Sequence, residues 1–231
     1  KRDFSRVIEP LKKIGINFYP PQKFKLPIYI KGSNYLRPIN YFENRGSAQC
    51  KTCVMLASLN VPGITKIKAK VSRDHTEKMF RSLNIPMKIK KTSKYDYITV
   101  SRPDFIKKID FNIPGDISSA AFFIVLTLLS EKSKLTLKNI NINSSRIGVI
   151  KILNKMGAKI HFKNFKIING ERCSDIKVKS IKKLKGINCP VSLNSAAIDE
   201  FLIIFLVAAK SKGISYFKNL SELNQKESPR L

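Results

Sequence analysis

The chain has 231 residues, room for one large domain or two of ordinary size. Its apolar share of 43% is that of a globular protein and excludes a disordered one. The longest apolar runs, near 120–129 and 198–209, reach only about half of the ~20 residues a membrane span needs. A net charge of +28 admits nucleic acid as a partner. The lysines, however, are spread along strands and loops, with no arginine-rich tract and few basic–aromatic pairs. The charge therefore reads as lysine at solvated positions, and it also suits a basic cleft for phosphorylated, carboxylated substrates. The chain opens Lys-Arg-Asp, without a secretory signal and without an initiator Met, which leads us to expect a segment of a longer protein. Cys50 and Cys53 have the spacing of a redox or zinc pair, but both sit inside a helical pattern. With Cys173 and Cys189 far away, the four read as buried thiols of a reducing cytosol.

In chain order, Phe4, Val7, Ile8, Leu11 and Ile14 recur at helical spacing, and Gly15 is the stop. Pro20-Pro21 begin a loop, 27–30 reads as a short strand, and a turn-rich segment leads to Gly46. Ser47 and Gln49 open an apolar helix through Val54, Met55, Leu56 and Leu59. Pro62-Gly63 break it, and Ile64, Lys66, Ile67, Lys68 and Val71 alternate as a strand. Ser72-Arg73-Asp74-His75 open the next helix, through Met79, Phe80 and Leu83 to Asn84. Two strands follow, 86–89 and 95–100.

After Pro114-Gly115, Asp116 or a serine caps a helix that is apolar nearly all round from Ala120 to Leu129, and such a helix is expected to be buried on every face. Leu135, Leu137 and Ile140 form a strand. Asn143-Ser144-Ser145 cap a helix through Ile147, Ile150, Leu153 and Met156 to Gly157. Beyond further strands and a lysine-rich loop, Ile198-Asp199-Glu200 start a second all-apolar helix, 201–209. Gly213 stops it, and Ile214, Tyr216 and Phe217 read as a strand.

A repeat emerges. Amphipathic helices end at Gly15, Asn84 and Gly157, about 70 residues apart, and polar-capped apolar helices begin near Ser47, Ser118 and Ala196. Each unit is roughly strand–helix–strand–helix–strand–strand, a period that points to repeated globular subunits rather than a solenoid. Helix starts near Ser47 and Ser72, with Arg73 beside them, suit an anionic ligand, because the first turn of a helix carries unsatisfied N–H groups.

Five segments in one register carry a resemblance. They are Lys1-Arg2; Gly46-Ser47-Ala48-Gln49; Arg73-Asp74-His75-Thr76-Glu77; Gly115-Asp116-Ile117-Ser118-Ser119-Ala120-Ala121-Phe122; and Ile198-Asp199-Glu200 with Lys226-Glu227-Ser228-Pro229-Arg230. Together the chain resembles EPSP synthase, the enolpyruvyl transferase of the shikimate pathway, over its whole length. The resemblance implies an α/β (α+β) fold, an inside-out α/β barrel built of βαβαββ repeats. It implies parts of two domains, 1–113 and 114–231, with the crossing at 112–115. The chain would be the middle half of such an enzyme and would not turn over alone. The implied reaction transfers the carboxyvinyl group of phosphoenolpyruvate to the 5-hydroxyl of shikimate 3-phosphate and releases phosphate, with no metal or organic cofactor. The expected setting is the cytoplasm, with small-molecule partners, no nucleic acid, no membrane, and a monomer when complete.

The resemblance also implies residue roles. Asp199 matches the base that contacts the shikimate hydroxyls, and Glu227 matches the carboxylate near the phosphoenolpyruvate methylene. Arg2 and Arg230 match arginines that clamp phosphoenolpyruvate, where planar forks suit carboxylate and phosphate. Ser47, Ala48 and Gln49 match the shikimate-phosphate site, with Gln49 reaching both substrates. Ser72 and Arg73 add to that phosphate site, and Lys226 lies near the hydroxyls. Taken singly, Asp199 reads equally as a helix-start carboxylate, Glu227 as a solvated residue, and the arginines as surface charge. Three positions depart from the family pattern: Asp3 stands where proline is usual, Pro229 where the usual motif has aspartate, and Asn224 where arginine is common. The sister enzyme acting on UDP-N-acetylglucosamine shares fold and donor, but Ser-Ala-Gln with Arg-Asp-His-Thr-Glu favours shikimate phosphate. A basic RNA-binding repeat protein is the reading from another class, and it calls for stacking aromatics among the basic residues.

Overall fold

The computed structural model describes residues 3–225. Arg2, Lys226, Glu227 and Arg230, expected at the site, and Pro229 lie outside the described residues. The chain divides into two compact units, Lys1–Asp110 and Phe111–Leu231.

In the first unit, helix α1 (Ser5–Ile14) ends at Gly15, whose φ of +117° is the left-handed turn-off a glycine adopts readily. Strands β1 (Asn17–Tyr19) and β2 (Tyr29–Lys31) pair antiparallel. A complete βαβαββ unit follows: β3 (Asn40–Glu43), α2 (Ala48–Ser58), β4 (Ile64–Lys70), α3 (His75–Ser82), β5 (Met87–Lys91) and β6 (Tyr95–Ser101). The sheet order is β3-β4-β6-β5, with β3 and β4 parallel and the other pairs antiparallel. Along β4 the alternation is strict: Thr65, Ile67 and Ala69 point inward, Lys66, Lys68 and Lys70 outward. Val54, Met55, Ile67, Phe80, Ile98 and Val100 make the core between helices and sheet. The sequence reading missed β1 and β3. Both are edge segments of three or four residues beside prolines, too short for a period to register.

The second unit repeats the plan. It contains α4 (Ile117–Leu129), β7 (Lys134–Asn141), α5 (Gly148–Lys155), β8 (Ile160–Ile168), β9 (Glu171–Lys179) and α6 (Phe201–Lys210). The order is β7-β9-β8, and Gly115 adds a parallel bridge to Ile140, the place β3 holds beside β4. A third beginning flanks α6, where Lys185 bridges Lys212 and Asn188 bridges Tyr216, both in parallel. The strand expected at 214–217 is therefore reduced to isolated bridges, held by Tyr216 N–H to the Ile187 carbonyl at 2.7 Å and Cys189 N–H to the Tyr216 carbonyl at 2.9 Å.

Burial on every face does not hold for the apolar helices. Helix α4 buries Ile117, Ala121, Ile124, Val125 and Leu128, while Phe122 is 65% and Leu126 64% exposed. In α6, Phe201, Ile204 and Val207 are inside and Leu202 is 51% exposed. Within the described structure α4 packs against β7, β9 and α6, and α6 packs against α4 and α5, while a second apolar face of each helix is exposed. One helix start shifts as well. Helix α5 begins at Gly148, after a turn in which the Asn143 side chain accepts from the Ser145 N–H at 3.0 Å. Helix α6 begins at Phe201, as its apolar run does, with no side-chain cap.

Close backbone approach explains Gly148: its N–H donates to the Ala196 carbonyl at 3.1 Å, and a Cβ there would lie 2.5 Å from the Ala196 carbonyl carbon. Gly157, at φ +98°, has open space around it. Gly148→Ala is therefore expected to destabilise by about 1–3 kcal/mol through overpacking, and Gly157→Ala by about 1 kcal/mol through backbone strain alone. Urea denaturation of the two variants checks the ranking; equal losses would show that the Ala196 backbone yields.

Candidate functional site

Parallel pairing decides where the candidate residues lie. Because β3 and β4 run the same way, with Glu43 opposite Ala69, the loops that leave their C-terminal ends emerge at one sheet edge. The first loop is shaped by Glu43, which is buried and accepts from the N–H groups of Arg45 (3.0 Å) and Gly46 (2.7 Å). Gly46, at φ +80°, turns the chain so that Ser47 caps α2, its Oγ accepting from the Cys50 N–H at 3.3 Å. Ala48 and Gln49 form the first turn, whose N–H groups have no acceptor within the helix. Gln49 is exposed and Ala48 half-buried.

The second loop carries Ser72 and Arg73, both half-buried. Contrary to the sequence reading, they precede the helix rather than open it: α3 starts at His75, with Asp74 at the cap position. The Asp74 carboxylate is ion-paired with Lys91 at 3.0 Å and Lys78 at 3.4 Å. The Ser72 hydroxyl oxygen is shielded from solvent and has no hydrogen-bond partner within the described protein. Joining the two loops is Lys51, which is 0% exposed. Its ammonium lies 2.6 Å from the Glu77 carboxylate and donates to the Arg73 carbonyl at 2.9 Å. A second tie, between the hydroxyls of Thr52 and Thr76, measures 2.5 Å.

The second unit has a counterpart at the starts of α4 and α6. Asp116 caps α4, accepting from the Ser119 N–H at 2.9 Å and from the Arg146 guanidinium at 2.9 Å. Arg146 also donates to the Ser118 hydroxyl oxygen at 2.5 Å, and that hydroxyl donates to the buried carboxylate of Glu200. Burial pushes the Asp116 carboxyl up, but the Ser119 and Ser118 bonds and the Arg146 charge outweigh it and hold the carboxyl below its ordinary value. Asp199, next to Glu200, is half-buried in the turn before α6.

The family model described as EPSP synthase (3-phosphoshikimate 1-carboxyvinyltransferase) matches residues 1–231. The chain belongs to the EPSP synthase family. It is 40% identical over 232 residues to the 3-phosphoshikimate 1-carboxyvinyltransferase of Legionella pneumophila (strain Lens), with 100% of this chain covered and 52% of the relative. The same figures hold for the protein of that name from Ruthia magnifica subsp. Calyptogena magnifica. Among solved structures, EPSP synthase from Acinetobacter baumannii superposes with a TM-score of 0.85 at 35% identity, over 99% of this chain and 51% of that one. The enolpyruvyl transferase NikO from Streptomyces tendae matches with a TM-score of 0.64 at 12% identity, over 92% of this chain and 50% of that one, a likeness of fold alone. The fold is thus the inside-out α/β architecture of the enolpyruvyl transferases. The chain spans about half the length of the curated relatives it matches.

Within this EPSP synthase family chain, the first unit brings Ser47, Ala48, Gln49, Ser72 and Arg73 to one edge, while Asp199 belongs to the second unit. Sequence reasoning missed Lys51, Glu77, Arg146 and Glu200. A signal for Lys51 was present: it shares the inward face of α2 with Val54 and Met55, three and four residues on, where a solvated lysine has no place. Arg146 holds in the second repeat the position of Arg73 in the first. Burial pushes the thiols of Cys53, Cys173 and Cys189 above the ordinary cysteine value, which disfavours the thiolate. Among the described residues, no cluster of three or more His, Cys, Asp or Glu side chains could hold a metal.

Asp116 yields a pH prediction. Its folded-state value is depressed, so its stabilising contribution is complete above the ordinary aspartate range, near pH ~3.9, and is lost as pH falls through the lower folded value. Melting temperatures measured from pH 6 to pH 2.5 should therefore show a shallower acid limb for Asp116→Asn than for the parent protein.

Proposed function

We propose that the protein carrying this chain transfers the carboxyvinyl group of phosphoenolpyruvate to the 5-hydroxyl of shikimate 3-phosphate and releases phosphate. The observation that carries this reading is the edge of the first unit. Two helix-entry loops, one ending in a serine cap and one bearing Arg73, converge there in a chain that matches the EPSP synthase family throughout. Unpaired N–H groups, a hydroxyl and a guanidinium are what a phosphomonoester requires. The curated relatives, each named 3-phosphoshikimate 1-carboxyvinyltransferase, support the same substrate.

In this reading the 5-hydroxyl oxygen attacks C2 of phosphoenolpyruvate while a proton is delivered to its methylene carbon, giving a tetrahedral adduct. Elimination then removes a proton from that methyl group, expels phosphate and restores the double bond. Asp199 takes the hydroxyl proton, and Glu227 serves the methylene carbon. Ser47, the Ala48–Gln49 turn, Ser72 and Arg73 hold the shikimate phosphate. Lys226 meets the shikimate hydroxyls, Gln49 reaches both substrates, and Arg2 and Arg230 clamp phosphoenolpyruvate. Residues 1–113 and 114–231 belong to the first and second enolpyruvyl transferase domains. The whole protein acts as a cytoplasmic monomer on small molecules without a cofactor.

A nucleic-acid platform is less well supported. On the outer face of the first sheet, the Lys68 ammonium lies 4.8–5.8 Å from the rings of Phe42, Tyr95 and Tyr97, so the chain's own cation engages the aromatics that bases would stack on. Among the described residues, no helix is long and apolar enough to cross a membrane.

The test is steady-state kinetics on the protein expressed from its full reading frame. Arg73→Ala should raise KM for shikimate 3-phosphate more than it lowers kcat, as lost uniform binding does. Asp199→Asn should lower kcat by ~10²-fold or more with the fold intact. No phosphate release from the two substrates would overturn the reading, and a near-normal kcat for Asp199→Asn would remove that residue from the mechanism.

A further inference from the structure

A fully buried lysine needs a reason. Placing an ammonium in the core is unfavourable unless it is paired and hydrogen-bonded, and an apolar side chain of similar volume would fill the same space without that penalty. Lys51 is 0% exposed on the inward face of α2, one turn after Ser47, to whose carbonyl its own N–H donates at 3.2 Å. Its side chain crosses to the next loop and makes two defined contacts, with the Glu77 carboxylate at 2.6 Å and the Arg73 carbonyl at 2.9 Å. Asp96, also buried, feels its charge: burial pushes that carboxyl up, and Lys51, followed by Lys91, partly offsets the effect.

We propose that the Lys51–Glu77 pair positions the phosphate site, fixing the Arg73 backbone relative to the first turn of α2 so that guanidinium and helix N–H groups converge on one phosphate. The inference rests on the function proposed above. The geometry gives each partner a separate task. Lys51 is anchored in α2 at one end and holds the Arg73 carbonyl at the other, which restricts the peptide plane from which the Arg73 side chain departs. Glu77, in the first turn of α3, holds the ammonium in place and cancels its charge. The phosphate then meets the field of Arg73 and the helix start rather than that of a buried cation. Lys51 and Glu77 are positioning residues that need not touch substrate.

Removing Lys51 alone would leave Glu77 charged and unpaired in the core and threatens folding. The informative variant is therefore Lys51→Met/Glu77→Leu, which replaces the pair with apolar side chains of similar size. A second, Lys51→Gln/Glu77→Gln, keeps a neutral donor for the Arg73 carbonyl. Both are made in the protein expressed from its full reading frame, with melting temperature as the check on folding and dissociation constants from calorimetry for shikimate 3-phosphate and for inorganic phosphate. The apolar pair should weaken shikimate 3-phosphate binding by about 10- to 100-fold, the scale of a misplacement of about 1 Å, at an unchanged melting temperature. The glutamine pair should recover part of that loss, and in turnover KM should rise more than kcat falls. Parent-like affinity in the apolar pair would overturn the inference and leave the proposed function standing. If the parent binds no shikimate 3-phosphate, the proposed function fails, and inorganic phosphate decides the positioning claim. Phosphate bound by the parent and lost in the apolar pair sustains it; phosphate bound equally by both, or by neither, overturns it.

Discussion

The described structure depends on one constraint, the parallel pairing of the first strand of each unit with the second. In the first unit this is the ladder of β3 on β4; in the second it shrinks to Gly115 beside Ile140, and around α6 to Asn188 beside Tyr216. A parallel pair needs a crossover, and a helix supplies it, so in the first two of these the chain leaves both strands at the same edge and enters a helix each time. Two helix starts are thereby brought together without any side chain having to specify it. Different groups fill those starts: a serine cap and an arginine loop in the first unit, an aspartate cap tied to Arg146 in the second.

Polar contacts between these starts set the local geometry, and they differ between the repeats. The first unit uses a lysine from inside the helix reaching to the next loop, whereas the second uses an arginine from the loop reaching back to the helix cap. Both arrangements pair a cation with a carboxylate and with a neutral oxygen: the Arg73 carbonyl in one, the Ser118 hydroxyl in the other. Charge-assisted bonds of this kind are directional and short, and they orient a loop where apolar packing alone would allow it to slide. The large positive charge of the chain lies mostly elsewhere. On β4 the lysines occupy the outward positions, where solvent accommodates them at little cost.

The apolar helices show how far local pattern reaches. A helix that is apolar all round has two faces to bury, and α4 and α6 each bury only one within the described structure. Their exposed phenylalanines and leucines form the kind of apolar surface that folded monomers seldom leave in water. Composition announced those faces, but it did not announce what lies against them.

Most of the repeat was legible from sequence because it rests on local signals: inward–outward alternation along β4 and β6, helical spacing ended by Gly15 and Gly157, and serine or aspartate before an apolar run. Residue types at fixed spacing likewise carried the family resemblance, since Ser47-Ala48-Gln49 and Arg73 belong to contiguous motifs. Tertiary structure alone decided the rest. Strands as short as β3 take their conformation from a neighbour's hydrogen bonds, and so leave no period of their own. The start of α3 falls where a loop is tied by a distant partner, not where the first polar residue stands. Lys51 with Glu77, and Arg146 with Glu200 through Ser118, join residues 26 and 54 positions apart. No local propensity encodes such a pairing, because it depends on two loops being delivered to one edge by a sheet assembled from both.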